Sequence, residues 1–184
     1  MKHKKAIKEK NNLIKESIRT IPHFPKQGIM FRDITTLLQD PKAFKKTCDA
    51  FYKRYKDKKI DVVVGIESRG FVFGAVLAYL LGVGFVPVRK PGKLPYKTIK
   101  EEYELEYGKS TVEIHEDAIK KGQRVLIVDD LVATAGTALA AIKLVERLGG
   151  KVVECCFVVE LLELKGREKL QNYTIFNLVD FEGE

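Results

Sequence analysis

Residues 125–137, VLIVDDLVATAGT, constrain the fold more than any other stretch, because an apolar strand, two adjacent carboxylates and a loop of small residues follow one another without a break. The run from Val125 to Val128 has the continuous apolar character of a parallel strand buried on both faces. Asp129 and Asp130 follow at its carboxyl end. Ala133, Thr134, Ala135, Gly136 and Thr137 then offer backbone N–H groups and two hydroxyls, with no side chain large enough to exclude an anion. Leu139, Ile142, Val145 and Gly149 keep helical spacing, so the loop meets a helix N-terminus, where unpaired N–H groups and the macrodipole favour negative charge. A phosphate is the expected ligand. Two carboxylates beside it are unfavourable unless they face hydroxyls or a metal carried by the ligand. A ribose diol, or Mg²⁺ brought by a polyphosphate, meets that requirement.

Other glycine patterns fail. Gly108, Lys109 and Ser110 end like a P-loop, but the earlier glycine of that motif would fall at Tyr103. Gly82 and Gly84 give G-x-G, yet Pro87 stands at the third glycine position of a dinucleotide fingerprint.

The 184 residues, 45% of them hydrophobic, suffice for one well-buried core and are short for two, so a single domain over 1–184 is expected. The net charge of +8 suggests nucleic acid at first sight. However, residues 1–19 hold seven Lys or Arg against two Glu, a net +5, which leaves +3 for the rest. The basicity is mainly an N-terminal arm, residues 1–10, and no nucleic-acid partner is expected. Three cysteines at spacings that suit neither disulfides nor a metal point to reduced thiols and a cytoplasmic location, and no signal peptide is visible. Residues 71–88 lack charge and are long enough to suggest a membrane span. Gly82 and Gly84 divide them into a buried helix and a buried strand, so no membrane association is expected.

The spacing predicts a helix over 11–19, a loop of Pro, Gly and aromatic residues, and a helix opened by Asp40 and Pro41 with Phe44, Cys48, Phe51 and Tyr55 on one face. Strands are expected at 61–66, 85–88, 111–115, 125–128 and 152–162, with a helix over 71–81. Residues 89–106, rich in charge and proline, read as a long surface segment of the kind that often carries function. Alternating strands and helices imply right-handed crossovers, a mainly parallel sheet flanked by helices, and a ligand at the carboxyl ends of the strands.

Several constellations belong near that end. Gly65, Ile66, Glu67, Ser68, Arg69 and Gly70 follow a buried strand, which makes Arg69 a second anion contact or merely a surface arginine on a turn. Arg89, Lys90 and Lys93 surround a rigid Pro-Gly turn that would suit pyrophosphate, although solvated basic loops are common. Phe24 and Phe31, taken alone, read more readily as core aromatics.

Residues 125–137 resemble the signature of the type I phosphoribosyltransferase family, and residues 24–35, FPKQGIMFRDIT, resemble the base-binding segment of its adenine-specific members. Residues 105–108, LEYG, and 165–168, KGRE, also match, so the resemblance covers nearly the whole chain beyond the basic arm. It implies an α/β fold with a small N-terminal hood, residues 11–36 supplying hood and base-binding segment. It implies transfer of the phosphoribosyl group of phosphoribosyl pyrophosphate to adenine, giving AMP and pyrophosphate in purine salvage.

By that resemblance, Asp129 and Asp130 hold the ribose hydroxyls and residues 133–137 hold the 5-phosphate. Glu67, Ser68, Arg69, Arg89, Lys90 and Lys93 bind pyrophosphate, the Glu67–Ser68 peptide matching a non-proline cis bond of the family. Phe31 stacks on adenine while Met30 and Arg32 supply backbone contacts. Glu106 is the acid/base candidate, Tyr107 helps close the loop, and Mg²⁺ arrives on the substrate without a direct protein ligand. Arg89 reaching across a subunit boundary would imply a homodimer. A hypoxanthine or guanine enzyme is the alternative within the class, and a non-catalytic nucleotide-sensing regulator is the alternative outside it.

Overall fold

The computed structural model describes residues 12–105 and 108–183, so the basic arm and the candidates Glu106 and Tyr107 lie outside the described residues. Helix α1 (Asn12–Glu16) precedes a hairpin of β1 (Arg19–Pro22) and β2 (Met30–Asp33), whose antiparallel register pairs Arg19 with Asp33. After α2 (Thr35–Gln39), α3 (Pro41–Tyr55) begins where Asp40 caps it, its carboxylate accepting from the amides of Lys42 at 2.8 Å and Ala43 at 3.2 Å. Strand β3 (Val62–Ile66), α4 (Arg69–Leu81) and β4 (Gly84–Val88) follow, then a second hairpin of β5 (Thr98–Leu105) and β6 (Gly108–His115). The chain ends with β7 (Arg124–Val132), α5 (Gly136–Arg147), β8 (Lys151–Leu161), a 3₁₀ turn (Leu162–Leu164), the short helix α6 (Gly166–Lys169) and β9 (Ile175–Phe181).

Five strands form one parallel sheet in the order β4-β3-β7-β8-β9. Its core strands are buried on both sides, as the apolar runs require; all five residues of β3 are inaccessible, as are Val125 to Val128. Along β7, Leu126 and Val128 pack with Phe51 and Phe73 from α3 and α4, while Val125 and Ile127 pack with Ile142 and Val145 from α5. The segment that resembled a membrane span divides as expected: α4 stops at Gly82, which takes φ +68°, and β4 follows. Among the described residues, no helix is long and apolar enough to cross a membrane.

Four expectations need correction. The first helix is only Asn12–Glu16, because the chain extends at Arg19 to pair with β2, although Ile14 and Ile18 are both buried as the helical spacing required. The aromatic loop contains β2, which pairs antiparallel with β1. Residues 98–105 form a strand and are not loop; Ile99, Glu101 and Tyr103 are half-buried while Lys100, Glu102 and Glu104 face solvent. The period-2 pattern is obscured in sequence because its inner face includes Glu101, neutralised by Lys143 at 2.9 Å and Arg147 at 3.2 Å. Finally, β7 continues through Asp129 and Asp130 to Val132, and the edge strand β9 was unanticipated.

Candidate active site

Parallel register decides which loops meet. Gly65 pairs with Val128, so β3 ends beside the start of the acidic pair and delivers residues 67–69 next to it, while β7 runs on to Val132. A cavity of about 590 Å³ opens there, walled by the 67–69 loop, Lys90, the acidic pair and the whole 133–137 loop. Tyr103 and Ser110 from the second hairpin close one side.

The 133–137 loop meets α5 with Ala135 at φ +63°, a left-handed conformation that a residue with a side chain adopts at some cost. Ala135 brings no side-chain cap, so amides of the first turn of α5 remain available to an anion.

The acidic pair is held in a defined geometry. Asp130 is 4% exposed, and its Oδ2 lies 2.7 Å from Arg69 Nε but outside hydrogen-bond alignment. The guanidinium therefore supplies charge stabilisation, while the oxygen is buried and has no hydrogen-bond donor. The Asp130 amide donates to Asp129 Oδ1 at 2.9 Å. Burial pushes both carboxyls up; the neighbouring Asp130 charge adds to the rise at Asp129, and Arg69 opposes it at Asp130. Hydroxyl donors or a ligand-borne cation would relieve both. Position 70 must be glycine for α4 to pack against this pair: a Cβ there would lie 2.6 Å from the Val128 carbonyl oxygen and 2.9 Å from Asp129 Oδ1.

Among the pyrophosphate candidates, Glu67, Ser68, Arg69 and Lys90 line the cavity and the Glu67–Ser68 peptide is cis. Arg89 and Lys93 are not on its wall. Arg89 donates to both Glu67 oxygens at 3.2 Å and to the Lys93 carbonyl at 3.0 Å. Burial would raise the Glu67 carboxyl, but the Lys90 amide and the Arg89 guanidinium outweigh it and hold the group below its ordinary value.

The base-binding candidates stand beside the cavity. Phe31 lies 5.8 Å from the Arg69 guanidinium and packs edge-on against Phe24 at 5.1 Å. Met30 is half-buried on the same strand. The Arg32 side chain turns away, donating to Thr20 Oγ1 at 2.6 Å and to the carbonyls of Glu182 and Gly183 at 3.0 Å, so the side chain is not available to the site.

One residue of consequence escaped the sequence analysis. Glu113, 2% exposed in β6, accepts at Oε1 from the amides of Gly92 (2.9 Å), Lys93 (3.3 Å) and Leu94 (3.4 Å). Its Oε2 faces the Thr98 hydroxyl at 3.3 Å and Lys100 at 3.6 Å. Burial favours the neutral acid, but these donors prevail and keep the carboxyl below its ordinary value. A lone Glu between Val112 and Ile114 in a strand was the available signal. Among the described residues, no group of three or more His, Cys, Asp or Glu could hold a metal. The two aspartates suit an ion that brings most of its ligands on a polyphosphate.

Comparison with known proteins gives a consistent picture. The phosphoribosyl transferase domain family matches residues 33–183. An adenine phosphoribosyltransferase of Desulfosudis oleivorans is 63% identical over 171 residues, covering 93% of this chain and 99% of the relative. The crystal structure of adenine phosphoribosyltransferase from Thermoanaerobacter pseudethanolicus superposes with a TM-score of 0.90 at 56% identity, covering 93% of this chain and 99% of that one. The Saccharomyces cerevisiae enzyme, solved with an imino-altritol bisphosphate and adenine, gives a TM-score of 0.87 at 47% identity, with the same coverage.

Proposed function

Because this chain belongs to the phosphoribosyl transferase family, among its adenine phosphoribosyltransferases, we infer that its cavity joins adenine to the phosphoribosyl group of phosphoribosyl pyrophosphate, giving AMP and pyrophosphate. The chain is a pentosyltransferase of purine salvage. The observation that carries the residue assignments is the meeting, in one cavity, of a buried acidic pair with an unpartnered carboxylate oxygen and an uncapped helix N-terminus.

In this reaction the anomeric carbon loses its bond to pyrophosphate and gains one to N9 of adenine, which gives up its proton. Positive charge develops on the ribose and negative charge on the leaving group. Asp129 and Asp130 orient the ribose hydroxyls and favour the developing cation, and residues 133–137 anchor the 5-phosphate. Arg69 and Lys90, with the Glu67–Ser68 backbone, receive the pyrophosphate; Glu67 holds Arg89 and the Lys90 amide in place. Mg²⁺ brought on the substrate would supply charge neutralisation to the leaving pyrophosphate.

Phe31 stacks on the purine, and backbone groups of Met30 and Arg32 read its edge. Glu106, which follows β5 in the sequence, takes the N9 proton, and the β5–β6 hairpin with Tyr107 closes to exclude water that would hydrolyse the sugar. The whole chain works as one domain, as a homodimer in the cytoplasm, with Lys93 reaching pyrophosphate in its own subunit and Arg89 reaching it there or across the subunit boundary. The buried free thiols of Cys48, Cys155 and Cys156 support a reducing compartment.

The reverse reaction tests these assignments together. With Mg²⁺ and pyrophosphate, the chain is expected to release adenine from AMP, to lose that activity on chelation, and to leave IMP and GMP largely untouched. Activity that survives chelation refutes the metal assignment, and equal use of IMP refutes the adenine reading.

A further inference from the structure

The KGRE segment at residues 165–168 has no part in the chemistry described above, yet its glycine stands close against the backbone of the phosphate loop. A Cβ added to Gly166 would lie 2.1 Å from the Ala133 carbonyl oxygen and 3.1 Å from the Ala135 amide nitrogen. The neighbour is backbone, which cannot swing aside as a side chain can. Gly166 is buried in the first turn of α6 and does not occupy the left-handed region, so space, and not backbone freedom, demands a glycine there.

The helix behind that glycine is pinned. Arg167 Nε donates to Glu160 Oε1 at 2.9 Å, and its Nη2 reaches Asn177 Oδ1 at 3.0 Å on the edge strand. Glu160 is the β8 residue that pairs with Val132, the last residue of β7 before the loop. Thus Arg167 fastens α6 to the sheet at the level where the phosphate loop starts, and Gly166 lies against the loop from outside the cavity.

We propose that Gly166, held by Arg167 on Glu160, is a positioning residue that sets the 133–137 loop in its phosphate-binding shape. The proposal rests on the reading of that loop as the 5-phosphate site. An alanine at 166 must displace Ala133 or shift α6; because Arg167 fastens α6 to Glu160, Ala133 and the adjoining loop amides are what give way. The pyrophosphate side of the cavity, built on residues 67–69 and 90, stands on other elements and is left in place.

The test compares binding of ribose 5-phosphate with binding of Mg²⁺-pyrophosphate, by calorimetry on the full chain, alongside steady-state kinetics and thermal unfolding. Gly166→Ala is expected to weaken ribose 5-phosphate and raise the KM for phosphoribosyl pyrophosphate by about 10- to 100-fold, with pyrophosphate affinity unchanged. Should that variant fail to fold, Arg167→Lys gives the same selective loss in smaller degree, since a lysine cannot reproduce the two-pronged hold on Glu160. Undiminished ribose 5-phosphate binding overturns the proposal, as does an equal loss for both ligands in step with melting temperature, the mark of a merely structural role. Thr137→Val in parallel guards the premise. If it leaves ribose 5-phosphate binding intact, the 5-phosphate reading fails and the proposal falls with it; if it weakens that binding while Gly166→Ala does not, the proposal alone fails.

Discussion

Removing the charge of Glu113 should loosen the basic loop that presents Lys90 to the cavity, without touching a residue of the cavity wall. Its Oε1 accepts one amide at normal length, from Gly92 at 2.9 Å, and two long ones from Lys93 and Leu94. Hydrogen bonds to a charged group contribute about 1.5–3 kcal/mol each at good geometry, and the long ones less. Glu113→Ala removes the acceptor of three amides on exposed or half-buried residues, which water can partly replace, a loss of roughly 2–3 kcal/mol. Glu113→Gln keeps an oxygen for those amides but sets an NH₂ against the Thr98 hydroxyl and Lys100, for a loss of about 1–2 kcal/mol. Because 1.4 kcal/mol corresponds to about tenfold in affinity, the Gln variant should raise the KM for pyrophosphate in the reverse reaction by at most about 30-fold. The KM for AMP should change less. Urea unfolding gives the stability change and initial rates give the constants. A Gln variant with wild-type unfolding midpoint and wild-type pyrophosphate KM would refute the reasoning, and so would Gln and Ala variants of equal effect.

Acid should weaken the hood. The Arg19 side chain and the Thr35 groups hold Asp33 at about 2, against an ordinary 3.8, although burial opposes them. A depressed folded-state value contributes stability above the unfolded value, lost as pH falls toward 2; the gap corresponds to about 2 kcal/mol. Asp33→Asn should flatten the pH dependence of the urea midpoint below pH 4 or so, and an unchanged slope contradicts the assignment. Asp129→Asn should move activity and stability in opposite directions: it removes a charge that burial and Asp130 disfavour, so the melting temperature holds or rises, while kcat/KM for phosphoribosyl pyrophosphate falls by about 10- to 100-fold. Parallel losses of both would show that the charge is structural. Glu106→Gln should lower kcat far more than it alters either KM, and unchanged turnover would remove Glu106 from the acid/base role.

The parts of this fold legible in the sequence are those where local pattern and burial agree. Val125 to Val128 read as a buried strand, Asp40 and Pro41 read as a helix start, and both stand where expected because short-range chemistry decides them. The β5 strand was hidden by Glu101, an inward-facing charge whose partners, Lys143 and Arg147, lie more than forty residues away. Residues 175–181 hold strand residue types, but an edge strand with a mixed face gives a weak signal. The loop ends of β3 and β7 were identified correctly as neighbours, since parallel strands bring their carboxyl ends together. What sequence could not supply is the supporting layer: Glu113 beneath the basic loop and Gly166 beneath the phosphate loop act through contacts across 19 to 33 residues of chain. The Arg32 side chain makes the same point, since its partners at Glu182 and Gly183 lie 150 residues on.

The most direct test of the central claim is a competition among purines. With phosphoribosyl pyrophosphate and Mg²⁺ present, adenine, hypoxanthine and guanine are supplied together at equal concentration and the nucleotides formed are separated and counted. AMP as the dominant product, with pyrophosphate released in equal amount, is the result expected. IMP or GMP formed at rates comparable to AMP, or no nucleotide at all, would contradict it.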